Sequence, residues 1–455
     1  MSTISPARRA AFQILLAVER GPSHSGDLLR GHSVNALSPA DRNLVTTLVL
    51  GVLRWQIRLD HQFRPLLKRP NAKLDPEILI ALRLGAFQLL LLDRIPAHAA
   101  IGESVELAIQ AGHRFASRMV NAVLRKLSGA PPVHFLEEPS AELALAESHP
   151  AWIVERWVNF YGLETARVIC RHGQTEAGLS LRIENPEVEA ELAQAAIQLT
   201  SGKLLTCART VLSGDITATP AFLEDRVRIQ DEGSQLVAEI ASHLAENLVQ
   251  EVKSIIDTCA APGGKTLILA ARNPYARIVA CESSPPRLEQ LRSRLAAHSA
   301  RVECRLADAT MLEEVSAFDL ALADVPCSGT GTLGRNPEIR HRLYADDLAR
   351  HSERQRAILR AAIRAVRPGG CVVYSTCSLE PEENEQVVAA VLAETPNDRL
   401  LSLESGIESL RSEGILTPSG AEHLQNCLTP KGALRLLPGV LHTDGFFIAL
   451  IEKIA

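Results

Sequence analysis

The spacing of apolar and polar positions changes twice along the 455 residues. Up to about residue 130, apolar side chains recur every three to four positions, which predicts amphipathic helices throughout. Pro6 after Ser5 marks one helix start, and Ser38 with Asp41 resembles a capping box at another. Further helices are predicted in LDPEILIALRLGAFQLLLLDRIP, AAIGESVELAIQAG and ASRMVNAVLRKLSG. This region is therefore predicted to be a small helical bundle.

The middle of the chain mixes two periodicities. WIVERWVNFYGLETARVICRHG predicts a pair of helices, whereas LSLRIEN and KLLTCAR have the length and composition of short strands. This part is predicted to be a small α+β domain.

From about residue 216, apolar runs of strand length alternate with helical segments. The predicted strands are VKSIID, RIVACE, VECRLAD, FDLALAD and CVVYST, and the helices between them are TLILAARN, PPRLEQLRSRLAAH, 344–366 and 381–393. Such alternation is typical of an α/β fold with a doubly wound parallel sheet. ALRLLPG and GFFIALIEK follow without a helix between them, which predicts an antiparallel edge. The predicted domains are 1–132, 140–215 and 216–455.

Charge changes this picture only when it is divided by segment. The net charge of −5 argues at first against a nucleic-acid partner. Residues 1–130 carry a net +8, however, whereas 131–215 carry −6 and 216–455 carry −7. The uneven distribution is compatible with phosphate contacts by the helical region.

A second basic stretch lies inside the acidic third segment. Residues 334–368 carry a net +5, and six arginines share one side of the predicted helix: Arg350, Arg354, Arg356, Arg360, Arg364 and Arg367. This face is either a solvated helix surface or a basic rim for RNA, and the helix pattern alone favours neither.

The nine cysteines point to a reducing location. Their number is odd and no C-x-x-C pair occurs, which disfavours both a disulfide scaffold and a common zinc site. The N-terminus has no signal-peptide pattern, and no apolar run approaches the ~20 residues that a membrane helix needs. We therefore expect a cytoplasmic protein that lacks a metal ion.

A glycine-rich turn follows the first predicted strand of the third segment. It comprises Cys259, Ala260, Ala261, Pro262, Gly263, Gly264 and Lys265. The turn lacks the G-x-G-x-x-G pattern, and Cys259 occupies the first glycine position of a phosphate-binding P-loop. These departures disfavour nicotinamide and nucleoside triphosphate binding, but a turn here still presents backbone N–H groups at the sheet edge. Lys265 is equally compatible with a structural helix-start lysine and with a ligand near the site.

Acids and cysteines follow the remaining strands. Glu282 and Asp308 end the second and third predicted strands, where acids can bind ribose or amine groups. Asp324 ends the next strand, with Cys327 in the loop beyond it. Cys377 ends another strand, and Pro381 is predicted to open the helix that follows, which would favour a thiolate. We expect both cysteine loops to meet over the glycine-rich turn and to carry covalent chemistry.

The motifs DTCAAPGGKT, DVPCSGTG and STCSLEPEEN together resemble the RNA cytosine-C5 methyltransferase family, which uses S-adenosylmethionine. DRNLVTTLVLGVLRW, LRLGAFQLLLLDRIPAHAAIGESVELA and VNAVLRKL resemble the NusB-like RNA-binding domain of the RsmB (Sun, Fmu) branch, and HPAWIVERWVNFYG resembles its middle domain. The resemblance spans about residues 8–450. It implies a Rossmann-like catalytic domain preceded by an all-α NusB-like bundle.

The resemblance also implies roles for the site residues. Cys377 would attack C6 of a cytosine, Asp324 would hydrogen-bond the N3/N4 edge of the ring, and Cys327 would assist release. The sequence alone leaves the two cysteines interchangeable, because DNA cytosine methyltransferases attack with the cysteine of a Pro-Cys loop. The turn 259–265, together with Glu282, Asp308 and Asp324, would hold the cofactor.

Three departures from the family pattern concern the same region. Glu282 stands where the family usually has Asp, Val325 stands where it usually has Ala, and the aromatic residue common near GRNPEIR is absent. The implied substrate is 16S ribosomal RNA of the small subunit, methylated by a monomer without a membrane partner. The alternatives are transfer RNA as the substrate and a non-catalytic RNA-binding or assembly protein.

Overall fold

The computed structural model describes residues 4–131, 140–176, 178–248, 251–441 and 443–454. Pro132, which belongs to the predicted break after the helical bundle, lies outside these ranges. The α-helices are α1 (Pro6–Arg20), α2 (Ser25–Leu29), α3 (His32–Asn35), α4 (Pro39–Phe63), α5 (Pro76–Leu91), α6 (Ala97–Gln110), α7 (Ser117–Ser128), α8 (Ser140–Ala146), α9 (Ala151–Tyr161), α10 (Leu163–Gln174), α11 (Pro186–Gln194), α12 (Pro220–Leu223), α13 (Glu232–Leu248), α14 (Gly264–Arg272), α15 (Pro285–Leu295), α16 (Ile339–Arg342), α17 (Ala345–Ala365), α18 (Glu385–Glu394), α19 (Glu404–Ser412) and α20 (Pro418–Gln425).

The strands form two sheets. They are β1 (Leu179–Arg182), β2 (Gln198–Ser201), β3 (Ala208–Ser213), β4 (Arg228–Ile229), β5 (Ser254–Asp257), β6 (Arg277–Glu282), β7 (Val302–Leu306), β8 (Phe318–Asp324), β9 (Val366–Thr376), β10 (Arg399–Leu401), β11 (Leu434–Leu436) and β12 (Phe446–Glu452). The smaller sheet has the order β2-β3-β1-β4, and the larger has the order β10-β12-β9-β8-β5-β6-β7, with β11 paired to β12.

The chain packs as two compact units. One contains residues 1–176 and Leu333–Arg342, and the other contains Ala177–Thr332 and Leu343–Ala455. The boundaries of the three predicted domains stay a prediction. Segment Leu333–Arg342 packs with the first unit, although its neighbours on both sides in the chain belong to the second.

The first unit is all-α over its described residues. Its core is made of apolar side chains from α1, α4, α5, α6 and α7. Ser38 accepts a hydrogen bond from the Asp41 N–H at 3.2 Å, which confirms the predicted start of α4. The side chain of Ser5 does not cap α1; it donates instead to Glu103 of α6 at 2.8 Å.

The larger sheet has the predicted Rossmann-like order. β5 pairs in parallel with β6 and β8, and β9 extends the parallel part, whereas β12 pairs antiparallel to β9 as the sequence predicts. Ile255 and Ile256 lie in different core clusters on the two faces of the sheet. Both faces are thus covered, which explains why these strands are apolar runs and not alternating patterns.

The prediction of a strand in KLLTCAR holds only for its last two residues, Ala208 and Arg209, which begin β3. Residues 203–207 turn before that strand, with Leu204 and Leu205 buried. The Glu232 carboxylate accepts hydrogen bonds from the N–H groups of Lys203, Leu204 and Leu205 at 3.1, 2.6 and 2.6 Å. These donors are therefore satisfied by a side chain and not by a neighbouring strand.

Candidate active site

The carboxyl ends of three adjacent parallel strands form one edge of the larger sheet. β9, β8 and β5 lie side by side and end at Thr376, Asp324 and Asp257. Parallel strands place their following loops at the same edge. The glycine-rich turn and both cysteine loops are consequently brought together there.

The glycine-rich turn is held by side chains from two directions. Gly263 has a φ of 100°, which favours glycine, and α14 begins at the next residue. Arg287 and Arg294 of α15 donate to the carbonyl oxygens of Ala261 and Pro262 at 2.9 and 3.2 Å. The turn is thus fixed before any ligand binds.

Asp257 fastens the turn from beneath. Its side chain is buried and accepts a hydrogen bond from the Thr266 hydroxyl at 2.7 Å. Burial raises the pKa of Asp257 to about 6. Burial likewise raises the pKa of the neighbouring Cys259 thiol, as expected for a cysteine that does no chemistry.

Lys265 reaches from the start of α14 to the end of β8. Its Nζ atom lies 2.7 Å from Oδ2 of Asp324, whose Oδ1 accepts from the Ser375 hydroxyl at 2.7 Å. Burial favours the neutral amine, but the Asp324 carboxylate outweighs it and raises the pKa of Lys265, and the nearby Cys377 sulfur acts in the same direction. Lys265 therefore lies at the site as a cation paired with Asp324.

The two predicted cysteines face each other. The Sγ atoms of Cys327 and Cys377 are 3.2 Å apart. The hydrogen bond to Cys377, together with burial, raises the pKa of the Cys327 thiol well above its usual value. Cys327 therefore keeps its proton at neutral pH, and its sulfur lies within hydrogen-bonding distance of the sulfur of Cys377.

Backbone contact between the two cysteine loops makes this approach possible. Gly331 donates its N–H to the Cys377 carbonyl oxygen at 2.9 Å. A Cβ atom on Gly331 would come within 2.5 Å of the Gly445 carbonyl oxygen and 2.8 Å of the Cys377 oxygen. Only glycine fits at position 331, because a side chain there would prevent the two loops from approaching each other.

The predicted position of Cys377 before a helix N-terminus is wrong. α18 begins at Glu385, and residues 381–384 form a turn. A helix dipole acts only within the first turn, so it does not reach Cys377. The electrostatic environment of this sulfur comes instead from Lys265 and Cys327.

The two strand-end acids lie further along the same edge. Glu282 is buried, accepts from the Ser284 N–H at 2.8 Å and lies 3.4 Å from a guanidinium nitrogen of Arg287. Asp308 is exposed, and its Oδ1 accepts from the N–H and the hydroxyl of Thr310, both at 2.9 Å. These backbone and side-chain hydrogen bonds lower the pKa of Asp308. Both acids are available at the edge next to the turn.

A cavity of about 100 Å³ opens beside the turn. Its lining includes Cys259, Ala260, Ala261, Pro262, Gly264, Lys265 and Asp324 from the sequence prediction, and Arg228, Ile229, Gln230, Ser234, Asp257 and Arg294 in addition. Among the lining residues not predicted from the sequence, Gln230 lies just before α13, and Ser234 lies in its first turn.

Gln230 also offers a polar atom to a ligand in this cavity, because its Oε1 atom is buried without a hydrogen-bond partner. The residues present fit a polar cofactor.

Two other findings concern the described part of the chain. Within it, no three His, Cys, Asp or Glu side chains are grouped so that they could hold a metal ion. Its helices include none that is both long and apolar enough to span a bilayer.

A parallel sheet with a fixed glycine-rich turn, acids at the following strand ends and a polar cavity is typical of a Rossmann-like fold. The model of the 16S rRNA methyltransferase RsmB/F family matches residues 246–452, and that of the NusB family matches residues 5–129. With the match to the first model, this fold places the protein in the class of S-adenosylmethionine-dependent methyltransferases. The chain belongs to the RsmB/F family of ribosomal RNA small subunit methyltransferases.

Individual relatives match over almost the whole chain. The chain is 33% identical to "Probable ribosomal RNA small subunit methyltransferase B" of Bacillus subtilis, with 98% of each chain covered. It is 30% identical to ribosomal RNA small subunit methyltransferase B of Pseudomonas putida, again over 98% of each. The solved structure named "Crystal Structure of PH0851" superimposes with a TM-score of 0.81 at 23% identity, over 99% of this chain and 100% of that one. The predicted fold class, a NusB-like bundle with a Rossmann-like sheet, is confirmed.

Proposed function

We propose that the protein transfers a methyl group from S-adenosylmethionine to C5 of a cytosine in 16S ribosomal RNA through a covalent bond between Cys377 and C6. The observation that carries this proposal is the pair of sulfurs 3.2 Å apart, of which the Cys327 thiol has a pKa well above its usual value. Because Cys327 stays protonated, Cys377 is the sulfur proposed to attack as the nucleophile. The positive charge of Lys265 lies close enough to interact with the Cys377 sulfur. Such an enzyme works where small subunits are assembled, in the bacterial cytoplasm.

The reaction needs the cysteine because C5 of cytosine is a poor nucleophile. Attack by Cys377 Sγ on C6 forms the C–S bond and moves the ring electrons to C5, which then takes the methyl group. The cofactor S-adenosylmethionine, when bound, would supply that methyl group as an electrophile and leave as S-adenosylhomocysteine. A base then removes the C5 proton, the C–S bond breaks, and the electron pair returns to the sulfur.

Other residues of the site hold the reactants. Asp324, which is proposed to hydrogen-bond the N3/N4 edge of the ring, is held by Lys265 and Ser375. Cys327 has a proton to exchange next to the departing sulfur, which suits a role in release. The turn 259–265, Glu282 and Asp308 are assigned to the cofactor. The target base must leave any stack to reach this edge.

Substitution of each cysteine tests the assignment. Cys377→Ala is expected to abolish methyl transfer but to retain cofactor binding, measured by radiolabelled methyl incorporation and calorimetry. Cys327→Ala is expected to accumulate a protein–RNA adduct that survives denaturing gels. Cys304→Ala, which changes a partly exposed thiol in β7, is the matched control. Normal turnover by Cys377→Ala would refute the nucleophile assignment.

Bisulfite sequencing of a deletion strain tests the substrate. Loss of methylation at one cytosine of 16S ribosomal RNA is the expected result. Loss at a transfer RNA cytosine would redirect the proposal to that substrate, and no loss at all would favour a non-catalytic assembly protein.

A further inference from the structure

Glu383 is a buried acid that the proposed mechanism does not use. Its side chain is fully shielded from solvent in the turn that precedes α18. The carboxylate accepts hydrogen bonds from the Ser328 N–H at 2.8 Å, from the hydroxyls of Ser328 and Ser378, and from the Gln355 amide at 2.9 Å. A single side chain thus contacts both cysteine loops and α17.

Each of the two serines that Glu383 binds is the residue immediately after one of the two cysteines. Ser328 follows Cys327 and Ser378 follows Cys377 in the chain. The bond to the Ser328 N–H fixes the peptide group between Cys327 and Ser328, and the hydroxyls of the two serines are 3.0 Å apart. The carboxylate therefore sets the distance between the two loops close to where the sulfurs project.

Secondary contacts strengthen the same connection. Gln355 Nε2 also donates to the carbonyl oxygen of Pro326 at 3.0 Å, one residue before Cys327. Thr330 accepts a hydrogen bond from the Leu379 N–H at 2.9 Å, which joins the loops a second time. The loops are consequently fixed by side chains on both sides of the sulfur pair.

The charge of Glu383 is balanced by hydrogen-bond donors and not by a cation. Across the described residues, its hydrogen-bond partners are two hydroxyls, one backbone N–H and one amide, and no ion pair with it occurs. Burial of a carboxylate is costly even with such donors, and apolar residues usually stabilise a core better. An acid at this position is better explained by the geometry and field that it imposes on the cysteines.

We propose that Glu383 is a positioning residue for methyl transfer, which holds the Cys327 and Cys377 loops so that their sulfurs face each other. The proposal rests on the cysteine mechanism above and adds the residue that orients its two thiols. The negative charge of Glu383 has a second effect, because it also raises the pKa of Cys327. Its contribution is smaller than those of the hydrogen bond to Cys377 and of burial. The same acid thus helps Cys327 to retain its proton.

Glu383→Gln is the first test, because it keeps the shape of the side chain and removes the charge and one acceptor. We expect the single-turnover rate of methyl transfer to fall by about 10- to 100-fold, since a small misplacement of reacting groups costs that much. The affinity for S-adenosylhomocysteine and the midpoint of thermal unfolding should stay near those of the wild type. Glu385→Gln is the matched control: it makes the same change two residues away, in a side chain that pairs with Arg435 and not with the cysteine loops.

The Cys327→Ala background separates this proposal from the proposed function. If Cys327→Ala with Glu383 intact gives no covalent adduct, the cysteine mechanism itself fails. If it gives the adduct and Cys327→Ala/Glu383→Gln forms the adduct at the same rate, the positioning role is refuted. The expected result is an adduct that forms at least about tenfold more slowly in the double variant.

Ser378→Ala guards against a merely structural explanation. It removes one hydrogen bond between Glu383 and the Cys377 loop but leaves the carboxylate in place. If the two residues act as one unit, the losses of rate in Ser378→Ala and Glu383→Gln will not multiply in the double variant. Equal losses of thermal stability and S-adenosylhomocysteine binding in both single variants would instead show that the acid only supports the fold.

Discussion

The structure decides between two interpretations of Lys265 that the sequence leaves open. From its sequence position, Lys265 could equally be a structural lysine at a helix start or a ligand near the site. In the structure its ammonium group pairs with Asp324 and lies 5.6 Å from the centre of the Phe446 ring. The lysine therefore links the glycine-rich turn to the strand end that is proposed to contact the base.

Lys265→Met is expected to damage both stability and methyl transfer. The apolar side chain fills the same space but leaves the Asp324 carboxylate without its cation, which lowers the free energy of unfolding by about 3 kcal/mol. Methyl transfer should fall by about 100-fold as Asp324 loses its orientation. Chemical denaturation and single-turnover assays measure the two effects.

Lys253→Met is the control variant, because the exposed ion pair between Lys253 and Glu251 contributes little to stability. Equal losses of stability and of methyl transfer in both variants would contradict the role of Lys265.

Residues at strand ends were predictable, but those that act across long sequence separations were not. Cys327, Cys377 and Asp324 were found because an apolar run ending in a polar residue marks the active edge of a parallel sheet. Glu383 looks in sequence like one acid among several in a helix-opening turn, and its partner Ser328 is 55 residues away. Ser5 occupies the N-cap position of α1 as the sequence predicts, but its hydroxyl bonds Glu103, which is 98 residues away and gives no local signal.

At the scale of elements, Asp319 joins two strands at the edge opposite the site. It lies near the start of β8, and its Oδ2 accepts from the N–H groups of Lys253 and Ser254, both at 2.8 Å. Burial opposes its ionisation, but these bonds and the Arg367 guanidinium outweigh burial and lower the pKa of Asp319. Its contribution to stability is thus complete above the ordinary pKa of an aspartate and is lost as the pH falls below it.

Asp319→Ala is expected to destabilise the sheet and leave the chemistry unchanged. Two backbone donors and Arg367 lose their acceptor, which should lower the free energy of unfolding by about 3 kcal/mol at neutral pH. The cysteine pair lies at the other end of β8, so the rate of methyl transfer by the folded fraction at 25 °C should equal that of the wild type. A variant with wild-type stability, or with a slower reaction at full folding, would contradict this assignment.

Long apolar elements were predictable, and short or exposed ones were not. The central strands are buried on both faces, so composition alone marks them. β2 and β10 are three or four residues long and lie at sheet edges with exposed or half-buried side chains, and the apolar spacing gives no signal there. The first five residues of KLLTCAR were misread because two buried leucines in a turn have the same local composition as a strand.

At the scale of the whole molecule, charge is organised by folding as well as by sequence. Two arginines of the basic stretch 334–368 form ion pairs with acids outside it: Arg360 pairs with Glu394 and Arg367 with Asp319. Arg350 pairs with Asp347, whose charge the net +5 already includes. The +5 of this stretch therefore overstates a basic rim for RNA by the two charges that outside acids balance. Arg354 of this helix is exposed, and its charge contributes to lowering the pKa of Asp308, one of the proposed cofactor residues.

The segment Leu333–Arg342 leads to a whole-molecule prediction about acid. In the first unit, a ring nitrogen of His341 bonds the Leu53 carbonyl oxygen at 2.7 Å. Burial, with the positive charges of Arg340, Arg83 and Arg342, lowers the pKa of His341 to about 3. Between pH 6.5 and 3 the unfolded chain therefore binds a proton here that the folded chain does not, and stability falls as the pH falls.

The first unit should consequently lose about 2 kcal/mol of stability through His341 between pH 7 and pH 5. His341→Gln keeps an N–H donor for Leu53 but does not titrate, so the variant should lose about 2 kcal/mol less stability than the wild type over the same pH range.

The three tryptophans, Trp55, Trp152 and Trp157, all belong to the first unit, so their fluorescence during urea denaturation reports on the unfolding of that unit alone. His149 is buried with a lowered pKa, for which burial is the largest cause and His341 the smallest, so it adds a loss of the same sign to both proteins. Parallel pH dependences of the wild type and His341→Gln would show that His341 is not the residue that makes this unit sensitive to acid.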